Sequence, residues 1–231
     1  MATVLANWKS HKTLSEAKAW MTTFCELYRP DSRLEVIVAP PFPYLVPLFR
    51  MLRECEAAQY MHLAVQDLSP FPPGPYTGAV AADMVSDLTG YAILGHSERR
   101  RYFHETHQEV ANKLSEAVSA GIKPIVCVDL PYARAQIAAL NDDELGDLLI
   151  GYGPAEAIGG KIPQTVENAG AAIKEIRAII PDKPILYGGS MHKDNAADYL
   201  RIPGVAGLMV GTASMDPVEF AEICRTVAQL S

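Results

Sequence analysis

The sequence lacks an excess of positive charge, and it lacks any long hydrophobic run. Its 231 residues include 20 Lys and Arg against 27 Asp and Glu, a formal net charge of −7. This acidic balance argues against a nucleic acid or an anionic membrane surface as the main partner. No apolar run approaches the roughly 18 residues of a spanning helix, and the N-terminus lacks the basic segment of a secretion signal. We therefore expect no nucleic-acid partner and no membrane partner.

The sequence also contains few cysteines, and no two of them lie close together in the sequence. The four cysteines lie far apart and form no CxxC motif. Free thiols are typical of a reducing compartment, so we expect a cytoplasmic protein. The residues from Gly151 onward fail the GxGxxG pattern, the stretch HETH is not the zinc motif HExxH, and GxSxG is absent. The sequence therefore predicts no metal site and no cofactor.

Short apolar runs alternate with amphipathic segments along the whole chain. Eight runs read as strands, at residues 3–8, 35–40, 62–66, 91–95, 124–128, 148–152, 184–188 and 207–211. Strands that read as continuous apolar runs are typical of a parallel sheet buried on both faces. Eight strand–helix units predict an α/β fold, a single-domain (β/α)8 barrel over residues 1–231. A doubly wound open sheet is the alternative.

Three helix starts are marked by capping residues. Thr13 and Glu16 are spaced as a capping box before a helix predicted over Leu14–Leu27, and Thr106 and Glu109 repeat that spacing. Near the end of the chain, Asp216 precedes a proline at the first position of a predicted helix. These signals place helices between the predicted strands.

Polar residues follow several strands, at the barrel end where active sites lie. His96 follows the fourth strand and has the chemistry to donate or accept a proton. Lys9 follows the first strand, where its ammonium would face a substrate oxygen or phosphate, and Glu98 would pair with it. The alternatives are a structural histidine, a surface lysine and an exposed acid at a helix start.

Small residues end the seventh and eighth strands, in the stretches Tyr187–Ser190 and Val210–Ser214. Small side chains let backbone N–H groups approach an anion closely. Barrels often bind phosphate with these two loops. We therefore predict a phosphate site there, with tight turns that bind nothing as the alternative.

Taken together, ANWK, LGHSERRRYFHET, AIGG, ILYGGS and VGTASMDP resemble the blocks of the triosephosphate isomerase family, in order and over nearly the whole chain. The resemblance implies a barrel that interconverts the ketose and aldose forms of a short sugar phosphate, without a cofactor. It also implies site roles: catalytic Lys9, His96 and Glu98, and substrate contacts at Asn7, Lys9, Gly159, Ser190, Gly211 and Thr212. The proline-rich stretch Ser69–Gly78 resembles the loop through which members of the family dimerise, so it implies a homodimer or higher oligomer.

The sequence departs from that family at the catalytic base. The glutamate expected between Tyr152 and Pro154 is Gly153, which leaves the base position vacant. Glu156, three residues later, matches a hinge position, although a sharp fold at Gly153 would bring it back towards the site. Two functions therefore stay open: an isomerase in which another group or water replaces the base, and a catalytically weak homologue that binds a phosphate ligand. A lyase or epimerase on the same barrel is a third, weaker alternative.

Overall fold

The eight predicted strands form one closed parallel barrel. A computed structural model describes residues 1–130, 132–154 and 163–231. Its strands are β1 (Ala2–Asn7), β2 (Leu34–Ala39), β3 (Met61–Val65), β4 (Tyr91–Leu94), β5 (Lys123–Val128), β6 (Leu149–Tyr152), β7 (Ile185–Gly188) and β8 (Val205–Val210). Each strand pairs with its neighbour in sequence, and β8 pairs with β1. The (β/α)8 prediction is confirmed, and closure excludes an open sheet.

Helices surround the barrel between these strands. In the described ranges they are α1 (Leu14–Leu27), α2 (Leu45–Glu54), α3 (Ser97–Phe103), α4 (His107–Ser119), α5 (Ala133–Ala138), α6 (Val166–Ile179), α7 (Ala196–Leu200) and α8 (Pro217–Leu230). Both predicted capping boxes are present, and Asp216 caps α8 through the Val218 N–H. Within the same ranges, no helix is long and apolar enough to cross a membrane.

Side chains alternate between the inside and the outside of the barrel along each strand. Those inside form a separate apolar cluster of Leu5, Ile37, Ala39, Ala64, Tyr91, Ile93, Ile125, Cys127, Leu149, Leu186 and Met209. The intervening residues pack outwards, as Val126 and Val128 of β5 do in the cluster beneath the helices. Because the period is two residues, the next inward positions of β5 and β6 fall at residues 129 and 153, at the mouth of the barrel.

A buried group of charges ties α4 to the loops that follow β3 and α3. The Lys113 ammonium lies 2.7 Å from Asp67 Oδ1 and also contacts Glu105 Oε1. Arg99 bonds the same two carboxylates, at 2.8 Å from Asp67 and 3.1 Å from Glu105. The Lys113 and Glu105 side chains are only 5% and 3% exposed. This cluster supports α3, the helix that begins directly after His96.

Candidate active site

A cavity of about 490 Å³ opens at the carboxyl ends of the strands. Of the site residues expected from the sequence, its lining includes Asn7, Lys9, His96, Gly153, Ser190, Gly211 and Thr212. They come from the ends of five strands, β1, β4, β6, β7 and β8, so the closed barrel brings distant parts of the chain to one place. Two further expected residues, Glu156 and Gly159, lie outside the described residues.

Lys9 is held in an unusual backbone conformation at the end of β1. Its φ is 51°, in the left-handed region that a side chain with a Cβ rarely adopts. The Lys9 N–H donates to Asn7 Oδ1 at 3.0 Å, and Gln66 Nε2 donates to the Lys9 carbonyl at 2.9 Å. These bonds fix the strained turn, which is a feature typical of functional sites.

The Lys9 side chain forms an ion pair with the acid expected to support it. Its Nζ lies 2.5 Å from Glu98 Oε1 in the first turn of α3. The two side chains remain 24% and 34% exposed, so the pair lies at the cavity edge and is not sealed in the core. Glu98 thereby orients the ammonium, and the remaining Lys9 protons are available to a ligand.

His96 is positioned by the turn that joins β4 to α3. Gly95 has φ +66°, and a Cβ there would lie 2.6 Å from Arg100 Nη2, so glycine suits both the turn and the close approach of the arginine. The turn makes His96 the N-cap of α3, where its Nδ1 accepts the Glu98 N–H at 3.2 Å. A neutral ring that accepts at Nδ1 carries its proton on Nε2.

Burial keeps the His96 ring neutral. Its removal from water lowers the pKa of His96, and this outweighs the opposing attraction of Glu98. The folded state therefore binds fewer protons at this ring than the unfolded chain does, and it loses stability as the pH falls through the ordinary histidine range. The ring that lines the cavity near neutral pH is an uncharged imidazole with one N–H to donate.

The cavity wall that follows β7 and β8 consists of small residues. Ser190 follows β7, and Gly211 and Thr212 follow β8, as the sequence predicts. A Cβ added to Gly211 would lie 3.9 Å from Lys9 Cε, which places this wall beside the ammonium. Backbone N–H groups and a lysine close to one another suit a phosphate dianion.

Sequence reasoning missed Asp129, which also lines the cavity. The signal was available, because inward-facing Ile125 and Cys127 predict that residue 129 faces inwards as well. Cys127 lines the cavity from the layer below, and burial raises the pKa of its thiol to about 12. It therefore stays protonated near neutral pH, as part of the apolar cluster inside the barrel.

Comparisons with known proteins find relatives over nearly the whole chain. The family model described as Triosephosphate isomerase matches residues 2–227. The triosephosphate isomerase of Thermus thermophilus is 38% identical, with 96% of this chain and 97% of that protein aligned. Those of Dehalococcoides mccartyi and Symbiobacterium thermophilum are 36% and 33% identical, with 97% and 98% of this chain and 96% of each relative aligned.

Proposed function

The chain belongs to the triosephosphate isomerase family, and we propose that it interconverts dihydroxyacetone phosphate and glyceraldehyde 3-phosphate or a close analogue. The observation that carries the proposal is the common cavity of Lys9, neutral His96 and the small-residue wall at Ser190, Gly211 and Thr212. Isomerisation of a sugar phosphate needs a base near the reacting carbon, polarisation of a carbonyl and retention of a phosphate. Lys9 and His96 in this cavity suit the second function, and the small-residue wall suits the third.

In this proposal the site residues divide the work between the two ends of the substrate. Lys9, oriented by Glu98 and backed by Asn7, attracts the negative charge that develops on the substrate oxygens. His96 donates from Nε2 and relays a proton between the two oxygens. Ser190, Gly211 and Thr212 hold the phosphate, and Gly159, outside the described residues, belongs to the same group by resemblance.

The vacancy at Gly153 favours a second candidate function, a phosphate-ligand-binding or regulatory homologue with little turnover. Two measurements on the same preparation separate the candidates. One is the rate of interconversion of the two triose phosphates, and the other is calorimetric binding of sn-glycerol 3-phosphate, an unreactive three-carbon phosphate. Turnover together with binding supports the isomerase, whereas binding without turnover supports the homologue.

Lys9→Ala is expected to weaken binding of sn-glycerol 3-phosphate about 10- to 100-fold. The variant removes an ammonium that faces a dianion, and a hydrogen bond to a charged group contributes about 1.5–3 kcal/mol. Titration calorimetry measures the change, with circular dichroism as the test that the fold is intact. Lys18→Ala, at an exposed position of α1, is the matched control. Unchanged affinity in a folded Lys9→Ala variant contradicts the proposed site.

A homodimer or higher homo-oligomer is part of the proposal. In the loop Ser69–Gly78, Phe71 and Tyr76 are 43% and 41% exposed and their rings stack at 4.5 Å. Prolines stiffen this apolar projection, which would be buried by a second copy. Light scattering at micromolar concentration should give at least twice the 25.1 kDa of the chain. A mass of one chain contradicts this part of the proposal.

We also propose a cytoplasmic location. All four cysteines are free thiols, and this state is typical of proteins in a reducing compartment. Cell fractionation followed by detection of the protein tests this assignment, and recovery outside the cytoplasmic fraction contradicts it.

A further inference from the structure

The vacant base position has a carboxylate beside it on the neighbouring strand. Strands β5 and β6 are paired in register, Cys127 with Gly151 and Val128 with Tyr152. Continuing that register by one residue sets Asp129 beside Gly153. Both continue the inward-facing alternation of their strands, and both line the cavity. Adjacent strands lie about 4.8 Å apart, so Asp129 stands one strand spacing from the position that lacks an acid.

The Asp129 side chain is anchored through one of its two oxygens. Gln136 Nε2 donates to Oδ2 at 3.4 Å, and Arg100 Nε lies 3.8 Å from the same atom. The Asp129 N–H donates to Gln136 Oε1 at 2.8 Å, which fixes the backbone as well. Within the part of the chain that the structure describes, Oδ1 accepts no hydrogen bond. One oxygen therefore orients the carboxylate, and the other is available to accept a proton.

Other groups around the cavity are less suited to this role. Glu98 engages Lys9 through Oε1, and its Oε2 lies 3.6 Å from His96 Nδ1. Among the lining residues that are described, Glu219 is the second carboxylate. It belongs to the first turn of α8 after β8, on the phosphate side of the cavity and two strands away from β6.

We propose that Asp129 is the general base of this isomerase and replaces the glutamate absent at Gly153. Its Oδ1 removes a proton from C1 of dihydroxyacetone phosphate. The C1–H electron pair becomes a C1=C2 double bond, and the carbonyl π electrons move to the oxygen on C2. Lys9 and the Nε2–H of His96 stabilise the charge on that oxygen.

The second half of the reaction delivers to the adjacent carbon the proton held by Asp129, which exchanges with water while the intermediate is bound. His96 donates its proton to the oxygen on C2, and its ring regains a proton from the hydroxyl on C1. As C1 becomes an aldehyde, the electrons of the double bond take the proton from Asp129 at C2. The aspartate ends as a carboxylate and the imidazole ends neutral, so no external reagent is consumed.

The inference rests on the proposed function, and an Asp129→Asn variant tests it. The amide is similar in shape and can still bond Gln136, but it is a poor base. Loss of a positioned base lowers kcat about 10²- to 10⁴-fold, and we expect the affinity for sn-glycerol 3-phosphate to stay within about threefold. Asp182→Asn is the matched control, because Asp182 is exposed in the turn before β7, at the far end of the barrel.

A double variant, Asp129→Asn with Gly153→Glu, identifies the missing group as a carboxylate. We expect it to recover at least tenfold in kcat over Asp129→Asn, because it restores an acid at the adjacent position. If the parent turns over triose phosphate and Asp129→Asn keeps its kcat within threefold, Asp129 is not the base while the isomerase assignment stands. If Asp129→Asn loses affinity in parallel with kcat, its role is structural and the inference is overturned.

Binding and turnover by the parent protein distinguish failure of the isomerase assignment from failure of the role proposed for Asp129. A parent that binds sn-glycerol 3-phosphate but interconverts no triose phosphate overturns both the isomerase assignment and the base. A parent that turns over, paired with an impaired Asp129→Asn and a recovered double variant, supports both.

Discussion

Replacement of His96 by asparagine is expected to lower kcat about 10²- to 10⁴-fold, the range over which a positioned acid or base contributes. The neutral ring donates from Nε2 while Nδ1 accepts the Glu98 N–H. Asparagine is a preferred N-cap, so its amide oxygen can replace Nδ1 as the acceptor at the start of α3. Its amide can still donate a hydrogen bond, but it cannot relay a proton between the two substrate oxygens.

The measurement is steady-state turnover of triose phosphate by the parent and by His96→Asn. The free energies of unfolding of the two proteins, measured by thermal denaturation, should differ by less than about 1 kcal/mol, since the N-cap of α3 is kept. His192→Asn is the matched control for general loss of a cavity histidine, because the His192 side chain is half exposed and lies after β7. A His96→Asn variant that retains more than a tenth of the parent kcat contradicts the proton-relay role.

Replacement of Lys113 by methionine is expected to lower the free energy of unfolding by about 3–5 kcal/mol, because it removes one partner of a buried ion pair. Lys113 and Arg99 together balance Asp67 and Glu105, and the Lys113 side chain is only 5% exposed. Burial raises the pKa of Asp67, and the Lys113 ammonium opposes that rise. Without it, Arg99 alone faces two carboxylates.

Urea denaturation of the parent and of Lys113→Met measures this loss. Lys174→Met on the exposed face of α6 makes the same chemical change at the surface, and it should alter stability by less than about 0.5 kcal/mol. Should the two variants prove equally stable, the charge cluster between α4 and the loops after β3 and α3 does not stabilise the fold.

The strands and the helix starts could be predicted because their signals are local. A strand buried on both faces needs a short run of apolar residues, and a capping box needs two residues three positions apart. The helix Leu14–Leu27 begins and ends where the sequence indicates, with Thr13 as its cap. The pairing of Lys113 with Asp67, 46 residues away in sequence, has no local signal and emerges only when the barrel closes.

The site was predictable where a residue type alone suggests its chemistry. Lys9 and His96 are predicted as site residues because each follows a strand, and both line the same cavity in the structure. Gln66, the residue after β3, donates a hydrogen bond to the Lys9 carbonyl. This interaction depends on the left-handed turn at Lys9 and has no signal in the sequence. The alternation along β5 indicates that Asp129 faces inwards, but its position beside Gly153 depends on strand register, which the apolar pattern of β5 and β6 does not specify.

A proton is expected to leave the carbon of a triose phosphate bound in this cavity, although the usual base is absent. Solvent exchange tests that step directly, since it does not require product release. Dihydroxyacetone phosphate is incubated with the parent protein in deuterium oxide, and C1 is followed by proton NMR against a sample without protein. We expect deuterium to enter C1 at an enzymatic rate, about 1–10³ s⁻¹. A protein that binds the ligand while both C1 hydrogens persist as in the protein-free sample contradicts this expectation.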